Sequence, residues 1–86
     1  MTDKITYYAM TDVNTSRERP RTVLRRIENN KGRNDELFTR SLRWEFSPLL
    51  YAAERGDTMF DFIPISKEEA MRIVERVRGE ASQEEQ

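Results

Sequence analysis

The feature that most constrains the fold of this chain is one amphipathic helix, predicted near the C-terminal end. The segment 66–69, Ser-Lys-Glu-Glu, is a capping box, in which a serine and a glutamate satisfy the first backbone N–H groups of a helix. The residues Ala70, Ile73, Val74 and Val77 then place one apolar stripe along the helix. Since a single stripe must be buried against another layer, the rest of the chain has to supply that layer.

Three segments ahead of this helix have the composition or alternation of β-strands. Residues 5–11 are β-branched and aromatic, and residues 21–28 place Val23 and Ile27 on one face of a second strand, which we expect to pair antiparallel with the first. In residues 42–46, apolar and charged side chains alternate strictly, which predicts a third strand whose start is not fixed. Residues 59–65 predict a further extended segment, which Pro64 confines to a sheet edge or to an irregular strand because proline has no N–H.

The residues between the second and third predicted strands allow two interpretations. Residues 29–34 are rich in asparagine and include a glycine, which is typical of a turn. Residues 35–40 either continue toward the third strand or form a helical turn that begins near Asp35. These two alternatives stay open from the sequence.

A short second helix is predicted over residues 48–55. Ser47 is suited to the N-cap and Pro48 to the first helical position, where the missing N–H has no cost. Gly56 then supplies a left-handed stop, as Gly79 does at the end of the last helix. On the polar side of that last helix, Glu68 and Arg72 have the i,i+4 spacing of an ion pair.

These elements predict an α+β fold, with a small antiparallel sheet of three or four strands packed by the C-terminal helix and closed at one end by the short helix. Residues 1–79 form a single domain in this prediction, and residues 80–86 form a disordered acidic tail. A chain of 86 residues has a thin core, so we also expect a homodimer. The predicted core residues are Ile5, Tyr7, Val23, Ile27, Trp44, Leu50, Ile63, Ile73, Val74 and Val77.

The chain contains no Cys and no His, which removes the commonest nucleophile, the commonest general base and the preferred ligands of zinc. The spacing of the acids Asp57 and Asp61 does not match an EF-hand calcium loop. We therefore expect a protein that is not an enzyme, with no catalytic, cofactor or metal site. Because the first residues are polar and no apolar run reaches membrane length, a cytoplasmic protein with no membrane partner is expected.

The charges are unevenly distributed along the chain. Residues 16–43 hold nine basic and four acidic residues, whereas residues 44–86 hold five basic and ten acidic ones. One hypothesis is a single-stranded nucleic-acid surface on the predicted sheet, because arginines follow phosphates and aromatic rings stack on bases. The residues predicted for this binding surface are Arg21, Arg25, Arg26, Arg40, Arg43 and Tyr8, with Tyr7 and Trp44 nearby.

The competing hypothesis pairs these arginines with the acids of the two helices, within one chain or across a dimer. No external anion is then needed. We regard this as the leading interpretation, and it predicts a non-catalytic protein-binding or self-associating module whose partner the sequence does not identify. Nucleic-acid binding is the alternative.

Several short motifs are spread over most of the chain: Tyr7-Tyr8, Pro20 with residues 23–26, Trp44 with Ser47 and Leu49-Leu50, and the helix start from Ile65 to Arg76. Together they resemble a group of short uncharacterised bacterial proteins that are common in high-GC genomes. The resemblance implies no activity, ligand or site residue.

Overall fold

The structure is a computed structural model that describes residues 3–84, with side chains described for residues 3–81. The elements follow in the order β1 (Lys4–Thr11), β2 (Thr22–Asn29), β3 (Gly32–Phe38), β4 (Trp44–Phe46), α1 (Leu49–Glu54), β5 (Asp61–Ile65) and α2 (Lys67–Glu84). The strands form one antiparallel sheet in the order β4-β3-β2-β1-β5. The predicted α+β architecture is confirmed, with five strands in place of three or four.

The helix α2 covers one face of this sheet. Alternate residues of each strand point to the same face, and on this face Tyr7, Val23 and Phe38 form a buried cluster with Ala70, Val74 and Val77 of α2. The apolar stripe predicted for the helix therefore lies in the core. Trp44, Ile65, Met71 and Ile73 pack around the cluster and remain partly exposed.

The predicted core is correct near the middle of the sheet and wrong at its end. Tyr7, Val23, Leu50, Val74 and Val77 are buried as predicted. Ile5 is 45% exposed, because it lies in the last rows of the β1–β2 ladder, beyond Tyr7, where the cluster under α2 ends. The other predicted core residues, Ile27, Trp44, Ile63 and Ile73, are half-buried.

The opposite face of the sheet carries α1. The chain leaves the sheet at the β4 edge and re-enters it at the β5 edge, so residues 47–60 must pass from one edge to the other. Glu54 at the end of α1 pairs with Arg26 in the central strand β2, which places α1 over this face. Leu24, Met10 and Leu50 are buried there. The short helix therefore lies over a face of the sheet, whereas the sequence analysis predicted that it closes one end.

The strand β3 is the element that the sequence prediction missed. The reversal occupies only Asn30 and Lys31, and Gly32 adopts φ 137°, a conformation that favours glycine. Residues 32–38 then pair with β2, so the predicted helical turn over residues 35–40 is wrong. The acids Asp35 and Glu36 each pair with an arginine of β2 and remove the apolar alternation that would have identified a strand.

The helix ends differ from the prediction in two places. The N-cap of α1 is Pro48, and Ser47 lies one residue earlier, where its Oγ accepts a hydrogen bond from the Leu49 backbone N–H at 3.2 Å. The helix α2 continues through Gly79 to Glu84, so it includes five residues of the predicted tail, and residues 85–86 lie outside the described part. The Ser66 cap is confirmed, with Oγ 3.1 Å from the Glu69 nitrogen.

Within residues 3–84, no helix has the length and apolar character needed to cross a membrane.

Candidate arginine-rich binding surface

The six residues predicted for a binding surface do not share one face of the sheet. Arg25 and Arg26 are successive residues of β2 and therefore point to opposite sides. On the α2 face, the Arg25 guanidinium lies 4.1 Å from the centre of the Trp44 ring and 2.6 Å from a carboxylate oxygen of Glu36. Arg25 is thus engaged by a cation–π contact and an ion pair.

Arg26 is buried on the other face, where its guanidinium meets two carboxylates. Its Nε donates to Asp35 Oδ1 at 2.7 Å and its Nη2 to Asp35 Oδ2 at 3.0 Å, and both Nη atoms donate to Glu54 at 3.0 Å. These bonds, to Asp35 first and then to Glu54, raise the pKa of Arg26, and the bond that Arg26 donates lowers the pKa of Glu54. With 6% of its side chain exposed, Arg26 cannot contact a ligand.

Tyr8 and Arg43 also lie apart from the other predicted residues. Tyr8 is half-buried on the Arg26 face, opposite Pro64 of the edge strand β5. Arg43 is exposed in the loop before β4. The hypothesis that sheet arginines pair with acids of the two helices holds for Arg26, which pairs with Glu54 of α1. It is wrong for Arg25, because its partner Glu36 lies on β3, as does Asp35, the second partner of Arg26.

The remaining two residues, Arg21 and Arg40, lie at the end of the sheet where β1 continues into loop 12–21. Three adjoining grooves of about 500, 540 and 300 Å³ are found there. The first two share Pro20 and Arg76, and the last two share Arg21 and Arg40. Six arginines line these grooves, and we call them the arginine end surface: Arg17, Arg19, Arg21, Arg40, Arg72 and Arg76.

Loop 12–21 is held in place by Asp12 at one end. The Asp12 carboxylate accepts hydrogen bonds from the Asn14 backbone N–H at 2.8 Å and from the Thr15 hydroxyl at 3.1 Å. It also lies 2.6 Å from Arg21 Nε. The Asn14 bond first, and then the Thr15 hydroxyl and the charge of Arg21, lower the pKa of Asp12. Asp12 therefore closes the loop as a charged residue.

Arg76 of α2 holds the other end of the loop. Its Nη2 donates to the backbone carbonyl of Pro20 and, at 3.3 Å, to that of Arg21. A guanidinium that binds two backbone carbonyls fixes the path of the loop across α2. The arginines of the loop and of the helix are therefore brought to one surface by the contact between Arg76 and the loop.

Positive charge exceeds negative charge on this surface. Its lining includes three acids, Glu18, Glu69 and Glu80, against the six arginines. Arg17 and Arg72 form no ion pair with any side chain in residues 3–81, so the predicted Glu68–Arg72 pair is not formed there. These two arginines line the first groove together with Pro20 and Ile73.

A surface of this kind can bind anionic groups that present two oxygen atoms. Guanidinium presents a rigid fork of donors that matches carboxylate and phosphate oxygens. Phe38 is the one aromatic residue among the described lining residues, and it is 2% exposed. The surface therefore offers charge and hydrogen bonds but no ring on which a base could stack. Within the described residues, no group of three or more acids could hold a metal ion.

Four arginines of this surface were not predicted from the sequence. Arg17 and Arg19 lie in the loop, and Arg72 and Arg76 lie on the helix, more than fifty positions later. One signal was present, since the i,i+4 spacing of Arg72 and Arg76 places them on one side of α2. The position of the loop against that side depends on the tertiary structure.

No protein-family model, curated protein or solved structure matches the chain. The resemblance to short bacterial proteins therefore stays a prediction.

Proposed function

We propose that this chain is a non-catalytic protein-binding module of the cytoplasm, and that its arginine end surface binds an acidic segment of a partner protein. The observation that supports the proposal is the excess of arginine on that surface, where Arg17 and Arg72 form no ion pair with any side chain in residues 3–81. Each can accept a carboxylate without first breaking an ion pair of that kind. The absence of Cys from the chain is the feature that favours a reducing compartment.

An acidic protein segment fits this surface better than a nucleic acid does. Single-stranded nucleic acids combine phosphate contacts with base stacking, and the described lining of the grooves has no exposed aromatic ring. It does have apolar residues next to the arginines, with Ile73 half-buried and Val13 93% exposed. Apolar side chains that flank the acids of a peptide can pack on them.

The test is the fluorescence anisotropy of a short labelled peptide that carries two glutamates in a glycine-serine background. We expect it to bind, to release as salt rises, and to bind roughly tenfold more weakly to the double variant Arg17→Gln/Arg72→Gln. The variant Lys31→Gln is the matched control, because it removes a positive charge in the β2–β3 turn at the opposite end of the sheet. The same peptide with two glutamines should not bind.

Two results would overturn the proposal. One is no binding of the glutamate peptide at low salt. The other is tight binding of a short thymidine oligonucleotide that the double variant loses, which would favour the nucleic-acid alternative. Self-association stays a prediction, and sedimentation of the protein alone at low and moderate salt measures it.

A further inference from the structure

Glu80 places a carboxylate of the chain itself on the arginine end surface. It projects from α2 and lines the second and third grooves. Its Oε2 lies 2.7 Å from Arg19 Nη2 of the loop, and its Oε1 lies 3.6 Å from Arg76 Nε of the helix. One carboxylate thus joins two of the six arginines, one from each side of the surface.

We infer that Glu80 occupies the place of a ligand carboxylate, and that an acidic partner binds by displacing it. This inference rests on the proposed function of the surface. Of the three acids that line the surface, Glu80 alone forms an ion pair within the described side chains. The other two, Glu18 and Glu69, form no ion pair with Arg17 or Arg72 among the described side chains, so these guanidinium groups can bind a ligand.

The ion pairs of Glu80 are of the kind that exchange readily. The Glu80 side chain is 44% exposed and that of Arg19 is 71% exposed. Exposed ion pairs contribute little net stability, because water solvates the separated charges well. In addition, Arg76 Nε is buried and has no hydrogen-bond partner in the described structure, so the present pairing leaves one donor of the site unsatisfied.

Other acids near arginines are held by further hydrogen bonds or by burial, so they exchange less readily than Glu80 does. Asp12 pairs with Arg21 but also closes its own loop through Asn14 and Thr15, so its removal would disrupt the surface. Asp35 is bound to Arg26 by two hydrogen bonds in a buried position. In the interactions described, the Glu80 carboxylate contacts guanidinium groups alone, and a carboxylate from another chain can replace it there.

The arrangement specifies the class of ligand as a segment with two acidic side chains. One acid enters the first groove, which Arg17 and Arg72 line. The second replaces Glu80 at Arg19 and Arg76 in the adjoining groove. The two grooves share Pro20 and Arg76, so neighbouring acids of one extended segment can reach both.

The experiment compares the variant Glu80→Gln with wild type in the anisotropy assay. Removal of an internal competitor raises the apparent affinity by the reciprocal of the open fraction, so we expect the two-glutamate peptide to bind roughly threefold to tenfold more tightly. The matched control is Glu75→Gln, which removes the same charge from α2 but pairs with Arg78, outside the grooves. Its affinity should stay close to that of wild type.

A second peptide with one glutamate tests the class of ligand. Its single carboxylate should go to Arg17 and Arg72, which no acid occupies, so Glu80→Gln should leave its affinity unchanged. An equal gain in affinity for both peptides would overturn the inference that the ligand carries two acids.

If wild type binds the two-glutamate peptide but Glu80→Gln behaves as Glu75→Gln does, the displacement of Glu80 is overturned and the proposed function stands. If no protein binds either peptide, the proposed function itself is overturned.

Discussion

Two adjacent arginines of β2 show how strongly the surroundings of a residue decide its role. Arg25 is stacked on Trp44 and paired with Glu36, whereas Arg26 is buried between Asp35 and Glu54. Both arginines are therefore used within the fold. The sequence predicts that they are charged, but the acids that neutralise them lie on other elements and are not apparent from local patterns.

The two carboxylates bound to Arg26 should differ in their contribution to stability. Asp35 is the buried partner of Arg26, and its removal leaves the buried guanidinium with Glu54 alone, so Asp35→Asn should lower the free energy of unfolding by about 3 kcal/mol. Glu54 is 46% exposed, and Glu54→Gln should lower it by about 1 kcal/mol or less. Urea unfolding of the two amide variants measures the difference. Equal losses would show that Asp35 and Glu54 hold Arg26 in similar surroundings.

Among the elements, those with local signals were predicted and the one without them was missed. The strands β1 and β2 and the start of α2 follow from β-branched residues and the Ser66 cap. The strand β3 has the sequence Gly-Arg-Asn-Asp-Glu-Leu-Phe, which has no apolar alternation because Asp35 and Glu36 lie against arginines of β2. Its pairing is stabilised by charges that only the neighbouring strand reveals.

The continuation of α2 beyond Gly79 leads to a prediction about stability. Gly79 lies inside the helix, is exposed, and has no atom within 4 Å of the position that a Cβ would occupy. Glycine in a helix interior is destabilising relative to alanine, so Gly79→Ala should raise the free energy of unfolding by about 0.5 to 1 kcal/mol. Thermal and urea unfolding test this, with Gly56→Ala as a control expected to destabilise because Gly56 has φ 74°. A loss on Gly79→Ala would indicate that the helix ends there.

For the whole molecule, the fold class could be predicted from the sequence, but the arginine end surface could not. Its arginines come from loop 12–21, from Arg40 before β4 and from two turns of α2. Arg76 joins α2 to loop 12–21 by binding backbone carbonyls of the loop. A side chain that binds main-chain atoms so far away in sequence has no local signature, and this is why the predicted surface was placed on the sheet instead.

The stability of the whole molecule should fall in acid. The pKa values of Asp12, Glu45 and Glu54 are lowered, chiefly by hydrogen bonds from Asn14, Ser41 and Arg26 respectively. A carboxyl group whose pKa is lower in the folded state contributes stability that is complete above its ordinary value of 3.8 for Asp or 4.5 for Glu. That contribution is lost as the pH falls through the lowered pKa.

Thermal unfolding between neutral pH and about pH 3 measures this dependence. The midpoint should hold steady down to about pH 5 and then fall, and Glu54→Gln should show a shallower fall. A midpoint that does not change across this range would contradict the expectation.

The position of β5 has a consequence for the order in which the protein assembles. The strands β1 to β4 are joined to their neighbours by connections of at most ten residues, but β5 pairs with β1, and Tyr7 faces Ile65 from the other end of the chain. Contacts between distant residues require closure of a long loop, so we expect β5 and α2 to dock after the first four strands have paired. Native-state hydrogen exchange should show β5 and α2 opening together at a lower free energy than β2 and β3. The arginine end surface, which needs α2, would then exist only once this last step is complete.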